Sequence, residues 1–261
     1  MTLVLAHLSD IHFGGENRAA VAAARDWIAD QDPNLVVITG DLTRQGDEVE
    51  FVAARAFVDS LQRDVVVTPG NHDTPYFDPI KRLFAPWNRY RRHFGRAPAG
   101  LLLRPGLALR TLNSARGVQP RLNWSKGQVS DRQVRAGAAA FAQAPAGAAR
   151  ILACHHPLIE MLGGPMTGRV WGGEAAARAF AQAGVDLVLT GHIHAPFALA
   201  YPFGDGRTYA VGASTLSVRE REVPPGFNQI EIEDDCITVK ALAWTGSHFE
   251  AWRTWSLVRR T

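Results

Sequence analysis

Few cysteines, no long apolar run and little net charge mark this sequence, and each lack closes off a class of protein. Cys154 and Cys236 are the only thiols in 261 residues. They lie far apart in unlike contexts, which argues against a disulfide framework and suits a reducing compartment. Cys154 reads as an apolar filler near the end of a buried strand. No apolar stretch approaches the roughly 20 residues of a membrane-spanning helix. The opening MTLVLAHLSD has no basic leader, and its apolar run is too short for a signal peptide, so a cytoplasmic protein is expected. With 28 Lys plus Arg against 25 Asp plus Glu, the formal charge is only +3. That is too little to imply a nucleic-acid coat, although an electropositive cleft would suit a small anion.

What is present describes a globular protein with a substantial core: 46% of residues are hydrophobic and 20% charged, a usual balance for a soluble domain. Apolar, β-branched runs of strand length recur as TLVLAHL (2–8), NLVVITG (34–40), DVVVTPG (64–70), LALRTLN (107–113), RILACHH (150–156) and VDLVLTG (185–191). They are nearly continuous rather than alternating, which predicts strands covered on both faces. Helices are predicted between most of them. One follows Asn17 and ends before Pro33, one opens on the capping pair Asp47 and Glu50, one starts at SDRQ (130–133), and one spans GEAAARAFAQAG (173–184). From Phe197 the texture changes to short strand-like pieces separated by turn residues, with no flexible linker before them. The expectation is one α/β domain over 1–261, a layered α-β-β-α sandwich of two mixed sheets flanked by helices, in which the part beyond 197 forms much of the second sheet.

Five of the six apolar runs end in a cluster able to bind metal: SDIH (9–12), GD (40–41), GNHD (70–73), CHHP (154–157) and GHIH (191–194). In open α/β sheets the carboxyl ends of strands form the ligand crevice, so these distant clusters are expected to meet there. Asp10 and His12 are two apart and share a side if the strand continues. Gly40 leaves room for close approach before Asp41, whose two oxygens suit a bridge between ions. Asn71 offers an amide oxygen; His155, His192 and His194 offer imidazoles. Oxygen and nitrogen donors without thiolate suit Mn, Fe or Zn.

In their order and completeness these clusters resemble the calcineurin-like metallophosphoesterase superfamily, over roughly Asp10 to His194, and within it the small cyclic-nucleotide and glycerophosphodiester phosphodiesterases. The resemblance implies a dinuclear centre: one divalent ion on Asp10, His12, Asp41 and His194, the other on Asp41, Asn71, His155 and His192. It selects His155 over its neighbour His156 as the ligand. It further implies in-line attack on phosphorus by a hydroxide held between the ions, with His72 assisting the transition state or the leaving group and Asp73 orienting His72. The substrate implied is a small phosphodiester or nucleotide. A phosphomonoesterase, a nucleotide or lipid-precursor pyrophosphatase and a nuclease are the alternatives, with nucleic acid not favoured and a non-catalytic scaffold less so because every motif is intact. Oligomeric state is left open.

Two further stretches admit two readings. The basic segment 81–96, which follows a helix start at Asp78 and Pro79, reads as a flap over substrate or as a solvated helical face with its aromatics turned inward. The glycine-rich loop 158–173, with Met161, Met166, Arg169 and Trp171, reads as a substrate-pocket wall or as an ordinary connection. Asn113, at a further strand end, is within reach of the same crevice.

Overall fold

The structure, a computed structural model, describes residues 2–96, 101–160 and 169–260. Among the described residues, six strands and five helices come first: β1 (Leu3–Leu8), α1 (Arg18–Gln31), β2 (Leu35–Thr39), α2 (Glu48–Ser60), β3 (Val65–Thr68), α3 (Pro79–Phe84), α4 (Asn88–Phe94), β4 (Leu102–Arg104), β5 (Leu107–Leu112), α5 (Asp131–Phe141) and β6 (Ala149–Cys154). There follow α6 (Gly173–Gln182), β7 (Leu187–Thr190), β8 (Phe197–Ala200), β9 (Tyr209–Gly212), β10 (Gly226–Ile232), β11 (Cys236–Trp244) and β12 (Phe249–Val258). The expected helix starts are present in detail. Asp47 with Glu50 and Ser130 with Gln133 form reciprocal capping boxes, and the Asn17 side chain accepts from Ala20 N–H.

The strands form two six-stranded mixed sheets, ordered β12-β11-β10-β1-β2-β3 and β4-β5-β6-β7-β9-β8. Near-continuous apolar runs are explained by what covers their two faces. Leu5, Leu35, Val37, Ile151, Ala153, Leu187 and Leu189 point between the sheets. Ala6, Leu8, Val36 and Ile38 point the other way, onto Ala20, Ala24 and Ile28 of α1 and Phe51 and Ala54 of α2. On the far side, Leu152, Cys154 and Val188 pack with Phe141 of α5 and Phe180 of α6. The result is the expected α-β-β-α sandwich, with Cys154 fully buried in it.

The carboxyl-terminal strands depart from expectation. Only β8 and β9 join the second sheet, whereas β10, β11 and β12 extend the first, beginning with the antiparallel pairing of Leu3 and Ile232. The reason is the free edge of β1: its parallel partner β2 occupies one side, and a meander of hairpins satisfies the other. Among the described residues no helix is long and apolar enough to cross a membrane.

The basic segment 81–96 is tied into the protein. Arg82 is buried and donates to Gly117 O at 2.7 Å, Arg89 to Gly46 O at 2.6 Å, and Arg92 pairs with Glu48 at 3.0 Å. Tyr90 is buried, its hydroxyl on Val67 O at 3.1 Å. Of the loop 158–173, Met161 and Met166 lie outside the described residues. Arg169 lines a hollow with Leu158 and Phe203, apart from the motif residues, and Trp171 lies 4.2 Å below the Arg121 guanidinium. Asn113 caps its own turn, its side chain accepting from Ala115 N–H at 2.9 Å.

Candidate metal centre

The motif residues gather just beyond the carboxyl ends of parallel strands from both sheets: Asp10 and His12 after β1, Asp41 after β2, Asn71 and His72 after β3, His155 after β6, and His192 and His194 after β7. The gathering is tight. His194 Nε2 lies 3.1 Å from Asp10 Oδ1 and 3.3 Å from His12 Nε2. His155 Nε2 lies 3.3 Å from Asp41 Oδ2 and 3.2 Å from Asn71 Oδ1, and the same Asp41 Oδ2 is 3.9 Å from His12 Nε2. Such separations are the edges of coordination polyhedra with bonds of about 2 Å. His192, half-buried, sits against the second group, its ring centroid 5.2 Å from that of His155.

Backbone conformation, rather than strand alternation, aims these side chains. β1 ends at Leu8, so Asp10 and His12 do not share a side through an extended strand. Both are left-handed, each at φ 52°, as are Asp41 at 49°, His192 at 70° and His194 at 61°. For residues with a Cβ this conformation costs about 1–3 kcal/mol each and persists where the surroundings enforce it, typically at functional sites. Gly40 shares it at φ 85°, and a Cβ there would lie 2.7 Å from Gly70 N and 2.8 Å from His155 Nδ1. Only glycine lets the β2 and β3 turns and the His155 ring come this close.

Donor chemistry tests whether the residues suit metal. His12 Nδ1 donates to Thr43 O at 3.2 Å, His155 Nδ1 to Thr39 O at 2.8 Å, and His194 Nδ1 to Arg219 O at 2.8 Å. A carbonyl only accepts, so each ring keeps a proton on Nδ1 and turns Nε2 inward, the nitrogen through which a metal would be held. The carboxylates are prepared in the same way. Asp10 Oδ2 accepts from Ser9 Oγ at 2.6 Å and His192 N–H at 2.9 Å, and Asp41 Oδ1 from His72 N–H at 2.8 Å, which leaves one oxygen of each facing inward. Buried Asp10 Oδ1 has no hydrogen-bond donor. An orphan carboxylate oxygen among converging lone pairs is a group of atoms that a cation would satisfy, and the residues fit a metal. Two ligand groups reflect this, Asp10 with His12 and His194, and Asp10 with Asp41 and His155.

His156 belongs to a third group, with His155 and His192, but its ring is already engaged. Nε2–H donates to Ser125 O at 2.7 Å and Nδ1 meets Ser114 Oγ at 2.9 Å. Burial, together with the neighbouring His192 and His155, holds it neutral, far below the usual histidine range. Burial likewise lowers His12 to about 4 and His192 to about 3, ready as neutral ligands. His155 runs the other way. Burial favours its neutral form, but the Asp41 carboxylate outweighs it and holds the ring up to about 9, while Asp41 itself is held well below the carboxylate range by the nearby imidazoles despite its burial. Below pH 9 the His155 ring therefore carries a proton that a metal binding there would have to displace. Metal affinity is expected to rise by up to about tenfold per pH unit between pH 7 and 9 and then level off. Calorimetric titrations in buffers of differing ionisation enthalpy should show the released proton; pH-independent loading without proton release would refute it.

His72 and Asp73 part company. The half-buried His72 ring donates from Nδ1 to Arg44 O at 2.6 Å, and its Nε2 faces a cleft of ≈ 420 Å³ lined also by His12, Arg44, Tyr76 and Arg219. Asp73 makes no hydrogen bond to that ring. Its fully buried carboxylate accepts from Gly70 N–H, Thr43 N–H and Thr43 Oγ, each at 2.9 Å, and so ties the turn after β3 to the loop after β2. Burial and the Asp41 charge push it up to about 6. The sequence reading missed Ser9, Thr215, whose hydroxyl holds Asp10 O at 2.6 Å, and Arg219, whose Nη1 lies 3.3 Å from His72 Nε2. Ser9 lies within the SDIH cluster itself and could have been noticed. Thr215 and Arg219 lie in a loop with no recognisable spacing.

Comparison with known proteins agrees with this geometry. A probable cyclic nucleotide phosphodiesterase of Synechococcus sp. is 24% identical over 253 residues, covering 90% of this chain and 89% of that protein. A glycerophosphodiester phosphodiesterase of Enterobacter lignolyticus is 30% identical over 83 residues, 27% of this chain and 30% of that one. A dimetal phosphatase from Danio rerio shares the fold at 14% identity, with a TM-score of 0.68 and 99% of each chain covered. The sequence pattern of calcineurin-like phosphoesterases matches residues 3–196, most of the chain including every ligand cluster; with the two sheets and the converging donors, this chain belongs to the calcineurin-like phosphoesterase family.

Proposed function

We propose that this protein is a phosphodiesterase dependent on two divalent ions drawn from Mn, Fe and Zn. The observation that carries the reading is Asp41 Oδ2, which faces His155 on one side and His12 on the other, and so joins two ligand groups into one centre. Asp10, His12, Asp41 and His194 would hold one ion; Asp41, Asn71, His155 and His192 would hold the other. When bound, the pair supplies Lewis acidity at the phosphoryl oxygens and ionises a water near neutral pH. The chain's residues do the rest. His72 Nε2, at the open side of the centre, stabilises charge on the transferring phosphoryl group or delivers a proton to the leaving oxygen. Asp73 positions His72 through the main chain, by tying the Gly70 turn after β3 to Thr43 after β2. The two phosphodiesterase relatives support a small diester substrate.

A panel of bis(p-nitrophenyl) phosphate, p-nitrophenyl phosphate, a cyclic nucleotide, a glycerophosphodiester, an acylated sugar nucleotide and DNA, offered to protein loaded with each metal, tests this. Diesters are expected to exceed monoesters by at least about tenfold in kcat/KM. Faster monoester turnover would make it a phosphomonoesterase, and preference for the acylated nucleotide or DNA a pyrophosphatase or nuclease. Protein that retains no metal and hydrolyses nothing would return it to the scaffold class.

A further inference from the structure

Arg219 and Arg44 are two cations at the mouth of the centre that pair with no carboxylate among the described residues. Both are exposed, and both line the cleft that holds His72 and His12. Arg44 Nη1 reaches only Gly14 O, at 3.3 Å, and Arg219 Nη1 only His72 Nε2, at 3.3 Å. Glu16, in the same loop as the Gly14 carbonyl that Arg44 reaches, accepts from Gly14 N–H at 2.7 Å and pairs with Arg18 at 3.3 Å. Several arginines elsewhere do pair with carboxylates, among them Arg55 with Asp59, Arg89 with Asp47, Arg178 with Glu174 and Arg260 with Asp186. Both residues are also fixed where they stand. The carbonyl of Arg219 anchors His194 and the carbonyl of Arg44 anchors His72, so neither Cα can drift from the centre without disturbing it.

Charge counting gives the pair a purpose. Two dications against the Asp10 and Asp41 carboxylates and one ionised water leave about one unit of positive charge, which a singly charged phosphodiester cancels. Arg44 and Arg219 are then surplus to the reacting group. Two guanidiniums at the rim, each with free N–H donors, suit a second anionic group a few bonds away.

Resting on the phosphodiesterase reading, we infer that Arg44 and Arg219 form an anion subsite selecting phosphodiesters that carry a second phosphate or carboxylate, over diesters that carry none. The subsite takes the group that is not hydrolysed, and the metal centre takes the one that is.

The test uses a matched pair that releases the same nitrophenolate: thymidine 5′-(p-nitrophenyl phosphate) with and without a 3′-phosphate. In the metal-loaded wild type, kcat/KM is expected to favour the 3′-phosphorylated ester by about tenfold or more, the scale of one or two charge-assisted contacts at a partly exposed site. Arg219→Gln and Arg44→Gln should each bring the ratio toward one, and Arg219→Lys should retain part of it. The ratio is insensitive to general damage because both esters react at the same centre. A wild-type ratio near one, or a ratio that survives both glutamine variants, overturns the subsite. Binding of thymidine 3′,5′-bisphosphate against thymidine 5′-phosphate by calorimetry reads the same preference without turnover. If neither ester is hydrolysed but the bisphosphate binds about tenfold tighter through Arg219, the phosphodiesterase reading fails and the subsite stands; equal binding sinks the subsite whatever the activity.

Discussion

Asp41→Ala is expected to empty at least one metal site and lower activity by more than about 10²-fold, the scale exceeded when a direct ligand rather than its support is lost. Its carboxylate does three things at once: Oδ2 faces His155 at 3.3 Å and His12 at 3.9 Å, and Oδ1 holds His72 N–H at 2.8 Å. Removing it also leaves His155 without the charge that holds its ring protonated when no metal is bound, so the metal-free variant should lose a proton from a fully buried histidine. Asp41→Asn retains an oxygen for the His72 amide but not the charge, and should keep the fold while still losing metal. Elemental analysis of the purified proteins decides; equal metal content in wild type and Asp41→Ala would end the bridging assignment.

The second large effect falls on chemistry rather than on metal. His72→Ala should bind its full complement of ions and turn over about 10²- to 10⁴-fold more slowly. The backbone N–H that serves Asp41 survives the substitution, and the ring touches no ligand atom beyond its edge contact with His12, centroids 4.9 Å apart. Leaving groups separate the two roles. If His72 donates a proton, the loss is large for an alkoxide and small for p-nitrophenolate; if it stabilises phosphoryl charge, both suffer alike. Unchanged rates on every substrate would remove His72 from the mechanism.

The gathering of the seven proposed ligands at one sheet edge was legible because each pairs a characteristic side chain with a strand end, and strand ends can be found from apolar runs. How they converge was not legible in the same way. Asp10 and His12 meet through left-handed backbone after β1 rather than through strand alternation, and nothing in SDIH marks that conformation. Asp73 looked like a partner for His72 because it follows it, yet its carboxylate meets the amides of Gly70 and Thr43 instead. The strand texture beyond Phe197 was right, but sheet membership depends on which edge stays open, a property of the assembled layers. Thr39, Thr43 and Arg219 were invisible as supports because they act through carbonyls, which every residue carries.

Those carbonyls have a consequence for how the protein can change. Four imidazoles, His12, His72, His155 and His194, hang from main-chain oxygens of Thr43, Arg44, Thr39 and Arg219. Because the polymer itself sets ring tilt and tautomer, side chains around the rim can be exchanged for other chemistries without retuning the inner cage. Specificity and reactivity are thus separately adjustable here, one written in replaceable groups and the other in the path of the chain.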